Sequence, residues 1–200
     1  MMNQNSGPDY SIKLLVLGDL SVGKTSFIYR FIEDKFDSDQ ITTTGLDLKT
    51  ADIILDNKKI RVQLWDTAGE EKFNSITKNL ILRVQGIIIL FDLTNKESFE
   101  NLGSWIEIIR DHCGNKMQML IVGNKNDLEE EKDIDEEDIL KFVKAEKIKF
   151  IKTSCQTGEN IKKAVEMICK IIISSSKSKN DLSFSLESSS LMTKNKKKCC

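Results

Sequence analysis

Two hundred residues fit one domain with an appendage, long enough to bury a real core. Hydrophobic content of 40% beside 30% charged residues is ordinary for a soluble globular chain. A formal net charge of −1 argues against a nucleic-acid binder, which shows a basic face, and no apolar run approaches the ~18 residues of a membrane span.

Residues 1–10 are polar, lack the apolar centre of a signal peptide, and read as a disordered leader. Met2 rather than Gly follows the initiator, which excludes N-myristoylation. An apolar strand at 12–17 then breaks at Gly18, and a helix is predicted over 24–33. Between them lies Gly18-Asp19-Leu20-Ser21-Val22-Gly23-Lys24-Thr25-Ser26, which carries the spacing of a phosphate-binding P-loop. A loop feeding a helix N-terminus offers a polyphosphate backbone N–H groups and the positive end of the helix dipole. Glycines let the main chain approach without a Cβ in the way. Lys24 is expected to reach the β- and γ-phosphates, and the Thr25 hydroxyl to be a ligand of Mg²⁺.

Further strands are predicted at 47–55, 59–66, 86–92, 119–124 and 150–153, and further helices at 72–82, 98–113, 135–146 and 160–173. Their alternation predicts an α/β fold with a mostly parallel, six-stranded sheet and helices on both faces. Asp56-Asn57-Lys58 reads as a hairpin turn, so one edge strand should be antiparallel. In such sheets ligands sit beyond the carboxyl ends of the strands, where each motif here falls.

The strand at 59–66 ends in Asp66-Thr67-Ala68-Gly69, with Asp66 placed to hold the metal, directly or through water, and the Gly69 N–H to meet the γ-phosphate. Asn124-Lys125-Asn126-Asp127 closes another strand. The Asp127 carboxylate can accept from the N1–H and exocyclic amine of guanine, and adenine would leave it unpaired. Thr153-Ser154-Cys155 closes a third, where the Cys155 N–H can meet guanine O6. The Cys155 side chain itself reads as a buried structural thiol.

Two segments are compositionally biased. Residues 129–138 hold eight acids, but position six of an EF-hand frame opened at Asp133 is Asp138 rather than Gly, and position twelve is Lys144 rather than Glu. The run therefore reads as a solvated loop whose acids complement the dipole of the following helix. From Ser174 onward Ser and Lys dominate, and 174–200 read as a flexible tail. It ends in a lysine cluster and Cys199-Cys200. Five cysteines without a paired framework (113, 155, 169, 199 and 200) fit a reducing compartment. His112, the lone histidine, reads as a helix C-terminal cap.

These elements, in this order, resemble the Ras-superfamily small GTPases over residues 11–173, and within them the Rab branch. Thr43-Thr44-Gly45-Leu46-Asp47-Leu48 is similar to the Rab segment Thr-Ile-Gly-Val-Asp-Phe. Trp65-Asp66-Thr67-Ala68-Gly69-Glu70-Glu71-Lys72-Phe73 is similar to Trp-Asp-Thr-Ala-Gly-Gln-Glu-Arg-Phe, and Cys199-Cys200 resembles a Rab prenylation ending.

The resemblance implies a G domain that binds GTP and GDP with Mg²⁺ and hydrolyses GTP. It implies that Ser21, Val22, Gly23 and Ser26 belong to the phosphate cradle. Thr43, eighteen residues past Thr25, is the implied second metal ligand. Phe36 is implied to stack on the guanine and Lys125 to pack over it. Residues 36–48 and 67–82 are the implied switch regions, ordered by the γ-phosphate and released after hydrolysis. Exchange factor, activating protein, GDP-dissociation inhibitor and effectors are the implied partners of a monomer. Two lipidated cysteines beside a polybasic run meet the two-signal condition for anchoring at the cytoplasmic face of an intracellular membrane, with a cytosolic pool. The implied role is in vesicle traffic.

The chain departs from that pattern at Glu70, where the family has the glutamine that orients the attacking water. A carboxylate accepts from water but cannot donate to the transition state, and it adds negative charge near the phosphate. Leu20 stands at a P-loop position that is Gly or Ser in relatives, where its bulk can crowd an inserted arginine. Leu48 and the segment Leu80-Ile81-Leu82-Arg83-Val84 replace aromatic effector-contacting residues. An alternative reading is therefore a GTP-bound binding module that does not hydrolyse, and a second is an ATP-dependent P-loop kinase, against which Asn124 and Asp127 argue.

Overall fold

The structure, a computed structural model, describes residues 7–37, 45–67 and 79–191, and of 177–191 the backbone alone. Six strands form one sheet: β1 (Tyr10–Gly18), β2 (Asp47–Leu55), β3 (Lys58–Asp66), β4 (Gly86–Asp92), β5 (Gln118–Asn124) and β6 (Lys149–Lys152). Their order is β2-β3-β1-β4-β5-β6, parallel throughout except for β2 against β3. The expected sheet and its antiparallel edge are both present. The hairpin turns on Asp56 and Asn57 alone, with φ of 51° and 62°. Two left-handed residues give the twist that joins right-twisted strands, so Lys58 is free to open β3.

The period of two along β1 separates two cores. Leu14 and Val16 join Phe27, Ile28, Ile88, Leu90, Val165 and Ile168 on one face. Leu15 and Leu17 join Ile87, Ile89, Phe91, Trp105, Ile106, Ile109 and Ile139 on the other. Every residue of β4 is buried, as expected for a central parallel strand covered on both sides. Each such aliphatic side chain contributes roughly 1.5–3 kcal/mol relative to exposure, against the entropy of ordering it. On the second face Phe99 bridges Phe91 and Phe142, with ring centroids 5.5 Å apart in both pairs.

Among the described residues the complete helices are α1 (Lys24–Glu33), α2 (Lys96–Glu100), α3 (Leu102–Cys113), α4 (Glu136–Glu146) and α5 (Ile161–Leu191). The single helix expected over 98–113 is two, broken at Asn101, and helix formation begins earlier because Asn95 caps α2 through Ser98 N–H. Three acids in the first turn of α4 and the left-handed Lys147 at its end set that helix's limits. His112 accepts the expected place in the last turn of α3, its Nδ1 2.8 Å from the Ile108 carbonyl. Most of the helix expected at 72–82 lies outside the described residues.

Two boundaries differ from the sequence reading. Asp9 and Tyr10, assigned to the leader, are held: Asp9 N–H donates to the Lys59 carbonyl and Lys59 N–H to the Asp9 carboxylate, both at 2.7 Å. Two backbone-level contacts with β3 were invisible in a polar decapeptide. The last helix continues beyond 173 to Leu191. Ser175 and Ser176 return their hydroxyls to the Ile172 carbonyl at 2.9 and 3.0 Å, so these serines satisfy themselves within the helix rather than stopping it. Apolar periodicity marks where a helix is packed, not where it ends.

Candidate functional site

Because the sheet is parallel, Gly18, Asp66, Asp92, Asn124 and Lys152 all end strands at one edge. β1 lies between β3 and β4, and the chain leaves it to α1, which packs against β1 and α5 in the first core, while α3 lies on the other side. That is the switch point at which such sheets open a crevice.

The loop 18–25 is shaped by backbone that only certain residues allow. Gly18 has φ 142°, and a Cβ there would run into the Leu90 carbonyl oxygen. Gly23 has φ 95°, and a Cβ would strike the Asn124 amide. Gly23 also occupies the N-cap of α1 with no side-chain cap and no acid in the first turn, so the positive end of that helix is uncompensated by side chains there. Lys24 is buried, and its Nζ donates to the Asp19 carbonyl at 2.7 Å. Leu20 projects outward, 44% exposed.

Asp66 closes β3 in a buried position. Burial pushes its carboxyl up from the usual range, partly countered by a hydrogen bond from Thr25 and the charge of Lys24. Among the described residues its Oδ1 meets no donor. A buried carboxylate oxygen left open beside a threonine hydroxyl fits a hard cation. Among the described residues no cluster of three or more acids, histidines or cysteines could hold a metal by itself, which is normal for magnesium sites completed by phosphate and water. Thr67 Oγ1 donates to the Val16 carbonyl at 2.9 Å and fixes the end of β3 to β1.

Asn124 is the hub of the other half. Its amide donates to the Val22 carbonyl at 2.9 Å, and its Oδ1 accepts from Thr153 Oγ1 and Cys155 Sγ, both at 3.3 Å. The three loops are therefore joined through one buried side chain. Asn126 N–H donates to the Thr153 carbonyl at 3.0 Å, and its amide to Glu159 Oε2 at 2.9 Å. Lys125, at φ 63°, turns the chain, and its Nζ pairs with Asp92 Oδ2 at 2.6 Å. Asp92 is itself buried, opposite Asn124 in register, and Thr94 donates to its other oxygen through N–H and hydroxyl. Asp127 is half-buried and close enough to push the Cys155 thiol up. Ser154 is fully buried, its Oγ accepting from Thr157 N–H at 3.0 Å. Phe36 stands 42% exposed.

Of the expected site residues, Gly18 to Ser26, Asp66, Asn124, Lys125, Asp127, Ser154 and Cys155 all fall at this edge. Thr43, Gly69, Glu70, Cys199 and Cys200 lie outside the described residues. Sequence reasoning missed Asp92 and named Thr153 only as the opening of its motif, without a role. An acid ending a fully apolar strand was the available signal for Asp92, since a carboxylate there needs partners.

Burial carries the thiols of Cys155 and Cys169 up to about 12. At pH 8 both should resist iodoacetamide in the folded protein, while Cys113, half-buried, reacts faster. Peptide mass spectrometry after timed alkylation checks this, and rapid modification of Cys155 or Cys169 would contradict the packing described.

A parallel sheet with a glycine-shaped loop at its switch point, an open buried acid beside it and a linked base-side loop defines a P-loop nucleotide-binding protein. The Ras family model matches residues 13–174, and the chain belongs to the Ras family. It is similar to Ras-related protein Rab-8B of Homo sapiens, 39% identical over 82% of this chain and 80% of the relative. It is 36% identical to Ras-related protein Rab-13 of Canis lupus familiaris over 82% of this chain and 81% of the relative. Ras-related protein Rab-8A of Gallus gallus is 40% identical over 78% and 75%. The chain is a Rab-like small GTPase, and neither the non-hydrolysing module nor the ATP-dependent kinase is favoured.

Proposed function

We propose that this chain is a lipid-anchored switch of membrane traffic that cycles between GDP and GTP. The observation that carries the reading is the buried, open Asp66 oxygen at the mouth of a P-loop whose lysine is also buried. Lys24 binds the β- and γ-phosphates, and Gly18, Ser21, Val22, Gly23, Thr25 and Ser26 cradle them through backbone N–H groups and hydroxyls. Thr25, Asp66 and, when a γ-phosphate is present, Thr43 hold magnesium. Magnesium held there would supply positive charge against the phosphates. Asp127, Asn124, Ser154 and Cys155 select guanine, with Lys125 and Phe36 packing on it. In the structure Lys125 Nζ is paired with Asp92 Oδ2 at 2.6 Å.

Gly69 meets the γ-phosphate through its N–H, and Glu70 accepts a hydrogen bond from the attacking water. Lacking an amide donor, Glu70 leaves the intrinsic reaction slow and dependent on an activating protein. Cys199 and Cys200 carry prenyl groups and the adjacent lysines attract anionic lipid. Among the described residues no helix is long and apolar enough to cross a membrane. Exchange factor, GDP-dissociation inhibitor and effectors complete the cycle of a monomeric domain on the cytoplasmic face of an intracellular membrane.

Single-turnover hydrolysis tests the centre of this reading. The purified protein should convert bound GTP to GDP in the presence of magnesium, leave ATP untouched, and change its rate on Glu70→Gln. Equal turnover of ATP, or GTP left intact after prolonged incubation even with an activator, would sink it.

A further inference from the structure

Asp19 does two things at once. Its backbone carbonyl receives Lys24 Nζ at 2.7 Å, and its carboxylate leaves the loop for the start of α3. There Oδ2 accepts from the Asn101 amide at 2.6 Å and Oδ1 from the Trp105 indole N–H at 2.8 Å. Both carboxylate oxygens are thus bound by side chains one helical turn apart on a different layer of the molecule.

Two independent features single out this contact. Asn101 is the N-cap of α3, the position where an asparagine side chain ordinarily accepts from the N–H of the first turn. It makes no such cap bond, and its amide is committed to Asp19. Trp105 is a core residue, 2% exposed, yet its one polar atom is aimed out of the core at the loop. A buried indole N–H needs an acceptor, and a carboxylate at a helix N-terminus is the strongest available, because the bond is charge-assisted and the dipole adds to it.

From this we infer that Asp19 is a positioning residue: it hangs the lysine-holding carbonyl of the phosphate loop from α3, so that Trp105 and Asn101 set where the Lys24 ammonium points. The inference rests on the nucleotide reading above, since it concerns what Lys24 is aimed at. The Lys24 ammonium reaches that carbonyl from the first residue of α1, and the Asp19 carboxylate ties the loop to α3. Without the carboxylate clamp the loop keeps its glycine-determined shape, but its first turn gains freedom and Lys24 loses a fixed partner. The Asn124 amide still holds the other end of the loop at the Val22 carbonyl and still ties it to Thr153 and Cys155.

The test is a double-mutant cycle on Asp19→Asn and Trp105→Phe in the full chain, read by dissociation of a fluorescent GDP analogue and by the affinities for GDP and GMP. Losing a charge-assisted hydrogen bond should speed GDP dissociation about tenfold in each single variant. The double variant should be little worse than either single one, because both remove the same clamp. The GDP-to-GMP affinity ratio should fall, because Lys24 serves the β-phosphate and GMP has none. A merely structural role would weaken GDP and GMP equally. That outcome, additive effects in the cycle, or wild-type dissociation rates would each overturn the inference. If Asp19→Asn does not fold, Trp105→Phe with Asn101→Ala carries the same cycle. A wild-type chain that does not retain GDP at all is a different failure, and it strikes the proposed function rather than the clamp.

Discussion

Asp127→Ala should erase the preference for guanine over adenine nucleotides, a loss on the order of 10⁴-fold in the affinity ratio. The magnitude follows from what adenine does to an intact site. It offers no N1–H and no 2-amino group, so the carboxylate stays dehydrated and unpaired, and the cost of that unmet acceptor is the source of discrimination. Removing the acid takes away both the reward for guanine and the penalty for adenine. Guanine affinity falls and adenine affinity rises, and both changes close the ratio. The environment around Asp127 supports a clean result, because the loop carrying it is held by backbone bonds independent of the carboxylate, notably Asn126 N–H to the Thr153 carbonyl. Competition of GDP and ADP against a fluorescent guanine nucleotide measures the ratio directly. A variant that still prefers GDP a thousandfold would mean that base selection resides elsewhere at this edge.

Lys24→Ala is the second large effect: hydrolysis of bound GTP should drop by roughly 10² to 10³, with a comparable weakening of GTP binding. A fixed cation at the phosphates stabilises charge that grows during reaction, and it does so in a site already shielded from water. Lys24 is 5% exposed, so the lost ammonium cannot be replaced by solvent without opening the loop. The fold should survive, because the alanine is a good residue for the first turn of α1 and the loop shape depends on Gly18 and Gly23. Single-turnover rates at saturating nucleotide separate the chemical loss from the binding loss. Unchanged turnover at saturation would remove Lys24 from the chemistry.

The sheet and its site were legible from sequence for one reason: each functional loop follows an apolar strand, and the strands are patterned strongly enough to locate their ends. Gly18, Asp66 and Asn124 could be placed at a common edge before any coordinates, because parallel strands must end together. What stayed hidden were contacts between elements distant in the chain. Nothing local marks Trp105 as a partner of Asp19, since a tryptophan on an apolar helical stripe reads as core, which it also is. The break at Asn101 was hidden for the same reason. Asn is a modest helix former that periodicity tolerates, and its side chain here reaches the phosphate loop, which the pattern does not reveal. The extent of α5 escaped because serines ended the apolar pattern without ending the backbone.

The antiparallel hairpin has an electrostatic meaning of its own. Asp47 and Asp66 face each other on its last rung, and the acid at 47 makes the one at 66 harder to ionise. β2 opens and β3 closes on that rung, so the two ends of the hairpin stand side by side where the site lies. A cation held at Asp66 would relieve that repulsion across the rung. The hairpin is thus one electrostatic unit, in which a change of charge at either acid is felt by the other.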